Sequence, residues 1–392
     1  MKYTLRNYQK QASDAAVRLF TSKADKNGLV ILPTGAGKSL VIADIASRLE
    51  GPLLVFQPSK EILQQNFAKL QSYGIFDCGC YSASVGCKDI NRITFATIGS
   101  VMNHMSDFDC FKNIIIDECH YVNSKSGQYK QFIEAKNRQV VGLTATPYRL
   151  DRAEGGGSIL KFLTRVRPRI FSKVIYCCQI GELLSKGYLA DLHYYDLTEL
   201  DLRRVRSNST GADYDERSLL AEYERCGFYD KLSNTVVKVL QPKSGIPRKG
   251  VLVFTAFTKE ARQLVDKLQS LGVNAAIVTG ETPKKEREAI LEGFKRREIK
   301  VVANVGVLTT GFDYPALDTV VLARPTKSLG LYYQMVGRAI RPFEGKDGWI
   351  VDLSGNYSRF GNVADLFISR PPGTTKWAVY SRGTQLTNVV LR

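Results

Sequence analysis

Two doubly wound α/β lobes, each wrapped around a parallel sheet and facing the other across a central cleft, are the fold class that this sequence predicts. Its 392 residues exceed the length at which a single hydrophobic core stops growing, so two domains are expected. Short apolar runs alternate with amphipathic helical stretches through both halves, which is the order of repeated βαβ units. A glycine-containing loop joins the first run directly to a helix, the arrangement that cradles phosphate.

The apolar runs lie at 29–32, 53–56, 114–116 and 140–143, then at 251–254, 301–303 and 319–322. Each has the size of a strand buried on both faces, as parallel sheets require. Between them lie amphipathic stretches at 39–49, 60–70, 259–271 and 284–295. The first lobe is placed at 1–188 and the second at 189–370, with helical additions near 200–240. A short tail, 371–392, is able to pair as a hairpin. Around the junction, 149–247 reads as irregular. It holds Gly155, Gly156 and Gly157, a polar patch at 207–211, and the basic run Arg165, Arg167, Arg169 and Lys173. That run reads as a phosphate contact, with a solvated face as the competing reading.

Hydrophobic residues make up 44% and charged residues 24%, which excludes wholesale disorder. Lysine and arginine number 55 against 38 acidic residues, a formal charge of +17. A surplus of that sign favours a polyanionic partner, nucleic acid first, although charge alone also serves solubility. Cys78, Cys80, Cys87, Cys110, Cys119, Cys177, Cys178 and Cys226 lack paired CxxC spacing. No structural zinc is therefore expected, and the thiols are read as reduced and buried. The start lacks an apolar signal core and no stretch approaches a membrane span, so a soluble, cytoplasmic protein without membrane contact is expected.

The loop is Pro33-Thr34-Gly35-Ala36-Gly37-Lys38-Ser39. Its glycines let backbone N–H groups curl around phosphate oxygens, Lys38 reaches the β and γ phosphates, and the Ser39 hydroxyl binds Mg²⁺. Leu32 stands where the strict GxxxxGK[ST] pattern has its first glycine. The run Ile114-Ile115-Ile116 ends in Asp117-Glu118-Cys119-His120. Asp117 is expected to hold Mg²⁺ through its water shell, and Glu118 to polarise the attacking water as general base. His120 reads as a relay toward the next motif or as a structural histidine.

These residues resemble helicase superfamily 2: Asp117 to His120 looks like its DEAH-like box, and TGxGKS is its shorter phosphate loop. Thr144-Ala145-Thr146 looks like motif III, Thr309-Thr310-Gly311-Phe312-Asp313 like motif V, and the stretch from Gln334 to Arg341 matches QxxGRxxR of motif VI. The resemblance runs from Leu5 to about Asn356 and implies RecA-like lobes of the P-loop NTPase type. More narrowly, Leu5-Arg6-Asn7-Tyr8-Gln9, the phosphate loop, 142–149, 305–313 and Val351-Asp352 resemble the RadD group of bacterial DNA-repair ATPases. That group continues into a cysteine-rich zinc-binding region, which the sequence to Arg392 does not contain. Contacts with single-strand-binding or repair proteins are implied by the resemblance only.

The resemblance implies that Arg6 and Gln9 read adenine, and a Gln amide can indeed donate to and accept from a base edge. Gln334, Arg338 and Arg341 fall at i, i+4 and i+7, so one helical face presents an amide and two guanidiniums. Aimed across the cleft, such forks suit the charge on a transferring γ-phosphoryl group. Asp313 reaches the ATP ribose or organises Arg338. Thr144 and Thr146 couple nucleotide state to lobe closure or cap a strand end. Nucleic-acid contacts are expected at Pro58, Ser59, Lys60, Thr97, Gly99, Ser100, Thr255, Thr279, Gly280, Thr309 and Thr310, through hydroxyls and amides that bond phosphate and sugar without reading sequence. The expected activity is ATP-dependent translocation or unwinding on DNA. RNA, the motor of a restriction or defence assembly, and an ATP-dependent clamp are the alternatives.

Overall fold

The computed structural model describes residues 4–22, 27–135, 138–152, 158–243, 247–309 and 312–391. In the first half, strands run in chain order as β1 (Gly28–Ile31), β2 (Leu53–Phe56), β3 (Cys78–Ser82), β4 (Cys87–Lys88), β5 (Ile93–Ala96), β6 (Asn113–Asp117), β7 (Gln139–Thr144), β8 (Tyr148–Arg152), β9 (Ser158–Phe162) and β10 (Lys173–Cys177). Eight of them form one sheet, ordered β10-β1-β7-β6-β2-β5-β3-β4. Its pairs are parallel except at β3–β4. The helices around it are α1 (Asn7–Thr21), α2 (Lys38–Arg48), α3 (Lys60–Ser72), α4 (Ile98–Met102), α5 (Gln128–Glu134) and α6 (Ile180–Ser185).

The second sheet is wholly parallel and uses β11 (Leu192–Asp196), β12 (Val251–Thr255), β13 (Ala275–Val278), β14 (Val301–Val305), β15 (Thr319–Leu322) and β16 (Gly348–Asp352), ordered β11-β16-β15-β12-β14-β13. Its helices are α7 (Glu216–Arg225), α8 (Phe228–Leu240), α9 (Thr258–Ser270), α10 (Lys284–Lys295), α11 (Leu329–Val336) and α12 (Asn356–Phe360). These are the two tandem RecA-like lobes the sequence predicts. All seven apolar runs are strands. The strands the pattern missed include the outer β10, β11 and β13, which carry partly exposed residues and so lack the continuous apolar signal of a buried strand.

Helix starts follow their capping chemistry: Ser59, Asp215 and Ser328 each accept a hydrogen bond from the third backbone N–H after them, at the heads of α3, α7 and α11. In α9, Ala261, Leu264, Val265 and Leu268 are buried at helical spacing. The inner face of the second sheet joins the core of the first lobe through Leu189, Leu329 and Tyr333. The outer face packs under α7, α8 and α9 as a separate cluster.

The C-terminal stretch does more than form a hairpin. β17 (Leu366–Ser369), β18 (Ala378–Ser381) and β19 (Thr384–Gln385) make an antiparallel sheet, and β20 (Val390–Leu391) pairs with β9 of the first lobe. The Gln179 side chain donates to the Ile368 carbonyl at 2.8 Å and accepts from its N–H at 3.0 Å, standing in for a neighbouring strand.

The cysteine reading needs correction. Cys80 and Cys87 form a disulfide, with Cα atoms 5.6 Å apart, because the β3–β4 hairpin folds them together. Cys110 is exposed, and Cys177 and Cys226 are half-buried; Cys78, Cys119 and Cys178 are buried. Arg165, Arg167 and Arg169 are solvent-exposed and Lys173 opens β10. Gly155, Gly156 and Gly157 lie outside the described residues. Among the described residues, no helix is long and apolar enough to cross a membrane.

Candidate active site

β1 delivers the chain into the phosphate loop, and α2 begins at Lys38 immediately after it. Gly35 and Gly37 adopt φ of +82° and +78°, a region that glycine enters without penalty. Side chains there would also collide: a Cβ on Gly37 would stand 2.6 Å from Gln9 Nε2, and one on Gly35 would stand 2.9 Å from Leu189. Gln9 is thereby pressed on the loop. Its Nε2 donates to the Ala36 carbonyl at 2.9 Å, while its Oε1 accepts from Arg6 N–H at 2.9 Å. The Arg6 guanidinium lies over the Tyr188 ring, 4.0 Å from its centroid.

β6 carries the acidic pair to its carboxyl end. Glu118 sits there with φ of 47°, a left-handed conformation that a glutamate adopts only when its surroundings hold it. Its carboxylate pairs with Lys38. Burial works against the Lys38 charge, but Glu118 and Asp117 outweigh it and hold the ammonium above its usual value. Burial likewise opposes the Glu118 charge, and Lys38 and His120 overcome it and keep the carboxyl low. Asp117 is pushed up to about 6 by burial, with Lys38 opposing.

Asn66 of α3 ties the two expected Mg²⁺ ligands together. It accepts from Ser39 Oγ at 2.6 Å and donates to Asp117 Oδ2 at 3.3 Å and to Gln57 Oε1 at 3.1 Å. A serine hydroxyl and a buried carboxylate gathered on one amide are hard oxygen donors that fit Mg²⁺. Sequence reading missed Asn66. Its signal was the spacing of Ile62, Asn66 and Lys69 along α3, all of which line the cleft.

From the second lobe, α11 and the turn after it present Gln334, Arg338 and Arg341. These residues and Asp313 line the same cleft of about 510 Å³ as Thr34, Gly35, Gly37, Lys38, Ser39, Asp117 and Glu118. Gln334 Nε2 reaches His120 Nε2 at 3.1 Å, and His120 Nδ1 lies 3.0 Å from Thr144 Oγ1 and 3.1 Å from Thr146 Oγ1. Because an amide NH₂ only donates, Nε2 must accept and Nδ1 must carry the proton. Burial pushes His120 down to about 4, in keeping with a neutral ring. Thr144 and Thr146 are thus joined through His120 to the other lobe.

Arg338 donates to the carbonyls of Phe312 and Thr309, and Arg341 pairs with Asp313. Burial lowers both guanidiniums to about 10. Of the two roles expected for Asp313, the one on Arg338 is corrected, since its carboxylate holds Arg341, while the ribose contact stands as an expectation. Gly311 and Thr310 lie outside the described residues.

The expected nucleic-acid residues follow the carboxyl ends of strands. Ser59, Lys60 and Thr309 meet in a second interlobe cleft of about 710 Å³, together with Lys284, Arg287 and Lys295 of α10, which sequence reading missed. Pro58 leads into it. Thr97, Gly99 and Ser100 form the head of α4, where Thr97 Oγ1 and Ser100 Oγ lie 3.0 Å apart. Thr279 and Gly280 lie in the turn after β13, with their carbonyls facing Arg287. Thr255 is buried, and its hydroxyl donates to the Asn304 carbonyl at 3.2 Å, which removes that side chain from any outer contact.

A phosphate loop and acidic pair in one lobe, opposed by an amide and two arginines from the next, define the class of two-lobed P-loop nucleotide-binding proteins. The family described as "Type III restriction enzyme, res subunit" matches residues 2–149, and "Helicase conserved C-terminal domain" matches residues 232–342. Both lobes are thus similar to the two-lobe core of helicase superfamily 2. It is 28% identical over 333 residues to a 51.5 kDa protein of a Lactococcus phage, covering 84% of this chain and 66% of that one, just under two thirds of its length. It is 24% identical over 384 residues to the DNA 3'-5' translocase XPB2 of Sulfurisphaera tokodaii, covering 90% and 82%. Among solved structures, the ATP-dependent Type ISP restriction-modification enzyme LlaBIII bound to DNA superposes with a TM-score of 0.67 at 19% identity, over 90% of this chain and 28% of that one.

Proposed function

We propose that this chain is an ATP-driven nucleic-acid motor that acts on DNA. The observation that carries the reading is the cleft in which Lys38, Asp117 and Glu118 face Gln334, Arg338 and Arg341 from the other lobe. In this reading the loop amides and Lys38 hold the β and γ phosphates, Ser39 and Asp117 hold Mg²⁺, and Gln9 with Arg6 meets the adenine. Bound Mg²⁺ supplies charge neutralisation at the phosphates. Glu118, released from Lys38, accepts the proton of the attacking water. Arg338 and Arg341 leave their present partners to reach the γ-phosphate as the lobes close, so turnover and lobe motion are linked.

The division near residue 188, with the C-terminal lobe to 370 and the tail beyond, belongs to the same proposal. So do the outer contacts at Ser59, Lys60, Thr97, Gly99, Ser100, Thr279, Gly280 and Thr309, and a place near the RadD group, favoured by the 5–9 and 142–149 segments. The charge of +17 suits either polyanion, and DNA is favoured over RNA by the DNA translocase relative. The motor of a restriction assembly is the second reading, favoured by the match over residues 2–149. ATP turnover measured with single-stranded, duplex and forked DNA and with RNA tests the reading: stimulation by DNA is expected, and an unstimulated rate with all four would overturn it. A labelled-duplex displacement assay then separates a motor from a clamp.

A further inference from the structure

Three separate chain segments build a cluster of cations on the second lobe from residues given no role above. Arg324 and Lys327 follow the carboxyl end of β15, Arg359 lies in α12 after β16, and the loop from Ser207 to Tyr214 closes over them. The Tyr214 ring is buried between them, with Lys327 Nζ 5.3 Å and Arg359 Cζ 5.8 Å from its centroid.

One carboxylate serves this group. Asp213 accepts from the backbone N–H groups of Tyr214 and Lys327 at 3.0 and 3.2 Å and stands 3.7 Å from Arg324. Among the described residues, Lys327 Nζ donates to the Ser207 hydroxyl, and neither Lys327 nor Arg359 has a carboxylate within ion-pair distance. Burial and the nearby Arg359 both act against the Lys327 charge, and Asp213 only partly offsets them. Three cations gathered round one ring with a single carboxylate between them leave a positive surplus that calls for an anion from outside.

The position narrows the anion. The cations follow the carboxyl ends of β15 and β16, in the sheet whose β13 and β14 lead to Thr279, Gly280 and Thr309, and the first turn of α11 packs on the other lobe, where a Cβ at Gly330 would stand 3.8 Å from Tyr148 and 3.9 Å from Thr146. Arg203, Arg204, Arg206 and Arg217, in the segments on either side of the loop from Ser207 to Tyr214, are exposed as well, the first two on Asp201 and Arg206 near Asp215.

We infer that Lys327, Arg359 and Arg324 around Tyr214 form a cradle for a backbone phosphate of the bound nucleic acid, beyond the motif residues. The inference rests on the nucleic-acid reading above. Single-stranded DNA binding is measured against salt for the intact chain and for the doubly substituted Lys327→Gln, Arg359→Gln. Each lost contact lowers the slope of log K against log salt by about 0.7 for a single strand, so a drop of about 1.4 and roughly ten-fold weaker binding near 0.1 M salt are expected. The ATPase rate without nucleic acid stays unchanged, and Lys327→Arg with Arg359→Lys keeps most of the affinity.

An unaltered slope and affinity in the folded double variant would overturn the cradle while leaving the motor reading intact. Failure of the unaltered chain to bind DNA would overturn both. Titration with inorganic phosphate and with a polyglutamate peptide distinguishes other anions. Binding of either that is lost in the double variant, with DNA affinity unchanged, would assign the site to that anion instead.

Discussion

Lys38 and Glu118 neutralise each other on the floor of the cleft, and in the proposed mechanism a nucleotide parts them. Lys38→Ala leaves the Glu118 charge without its main partner and removes the cation for the β and γ phosphates, so loss of both ATP binding and turnover is expected. Glu118→Gln keeps the shape and removes only the proton acceptor. It is expected to bind ATP within a few-fold of the unaltered chain and to turn over about 10²- to 10⁴-fold more slowly. Equilibrium binding of a fluorescent ATP analogue with a phosphate-release assay checks both, and near-normal turnover by either variant would refute these roles. Asn66 belongs beside them because it holds Ser39 and Asp117 in one cluster, and no short motif announces such a residue.

At the scale of elements, His120 joins the strand end at Thr144 and the following Thr146 to α11 through Gln334. Its folded-state value of about 4 lies below the ordinary value near 6.5. The stabilisation it gives is therefore fully present above about pH 6.5 and is lost as pH falls through about 4. Thermal melting from pH 7.5 to 4.5 should show a larger loss for the unaltered chain than for His120→Asn, and equal losses would count against the neutral-ring contact. The Gln179 cap on β17 is another element-scale device: Gln179→Ala removes two backbone-directed hydrogen bonds and is expected to cost about 1–3 kcal/mol in urea unfolding. The β3–β4 hairpin gives a direct count. Of eight cysteines, six are free thiols, so thiol titration of the unfolded, unreduced chain should give six and of the reduced chain eight. Eight without reductant would remove the Cys80–Cys87 bond.

On the scale of the whole molecule, the guanidiniums that complete the cleft come from the second lobe and are engaged elsewhere, Arg338 on the carbonyls of Phe312 and Thr309 and Arg341 on Asp313. In the proposed motor, lobe movement frees them. Arg341→Ala is expected to lower turnover about 10³-fold or more while ATP affinity changes only a few-fold, measured by single-turnover hydrolysis. Equal falls in affinity and turnover would mean that Arg341 contributes to ground-state binding only. The C-terminal stretch, docked through Gln179 on β17 and paired through β20 to β9 of the first lobe, ties the far end of the chain back across the lobe boundary.

Strand and loop chemistry was local enough to read directly: the seven apolar runs, the phosphate loop and the Asp117-Glu118 pair each declare themselves within a few residues, because burial on both faces and phosphate cradling impose composition on short segments. Outer strands such as β10 and β11, with partly exposed residues, left no such mark. The partners of Arg338 and Arg341, the Asn66 bridge, the buried hydroxyl of Thr255 and the Cys80–Cys87 bond join side chains through turns, packing and register. The chain's order does not encode those distances, and only the packing of helices on sheets and of one lobe on the other decided them.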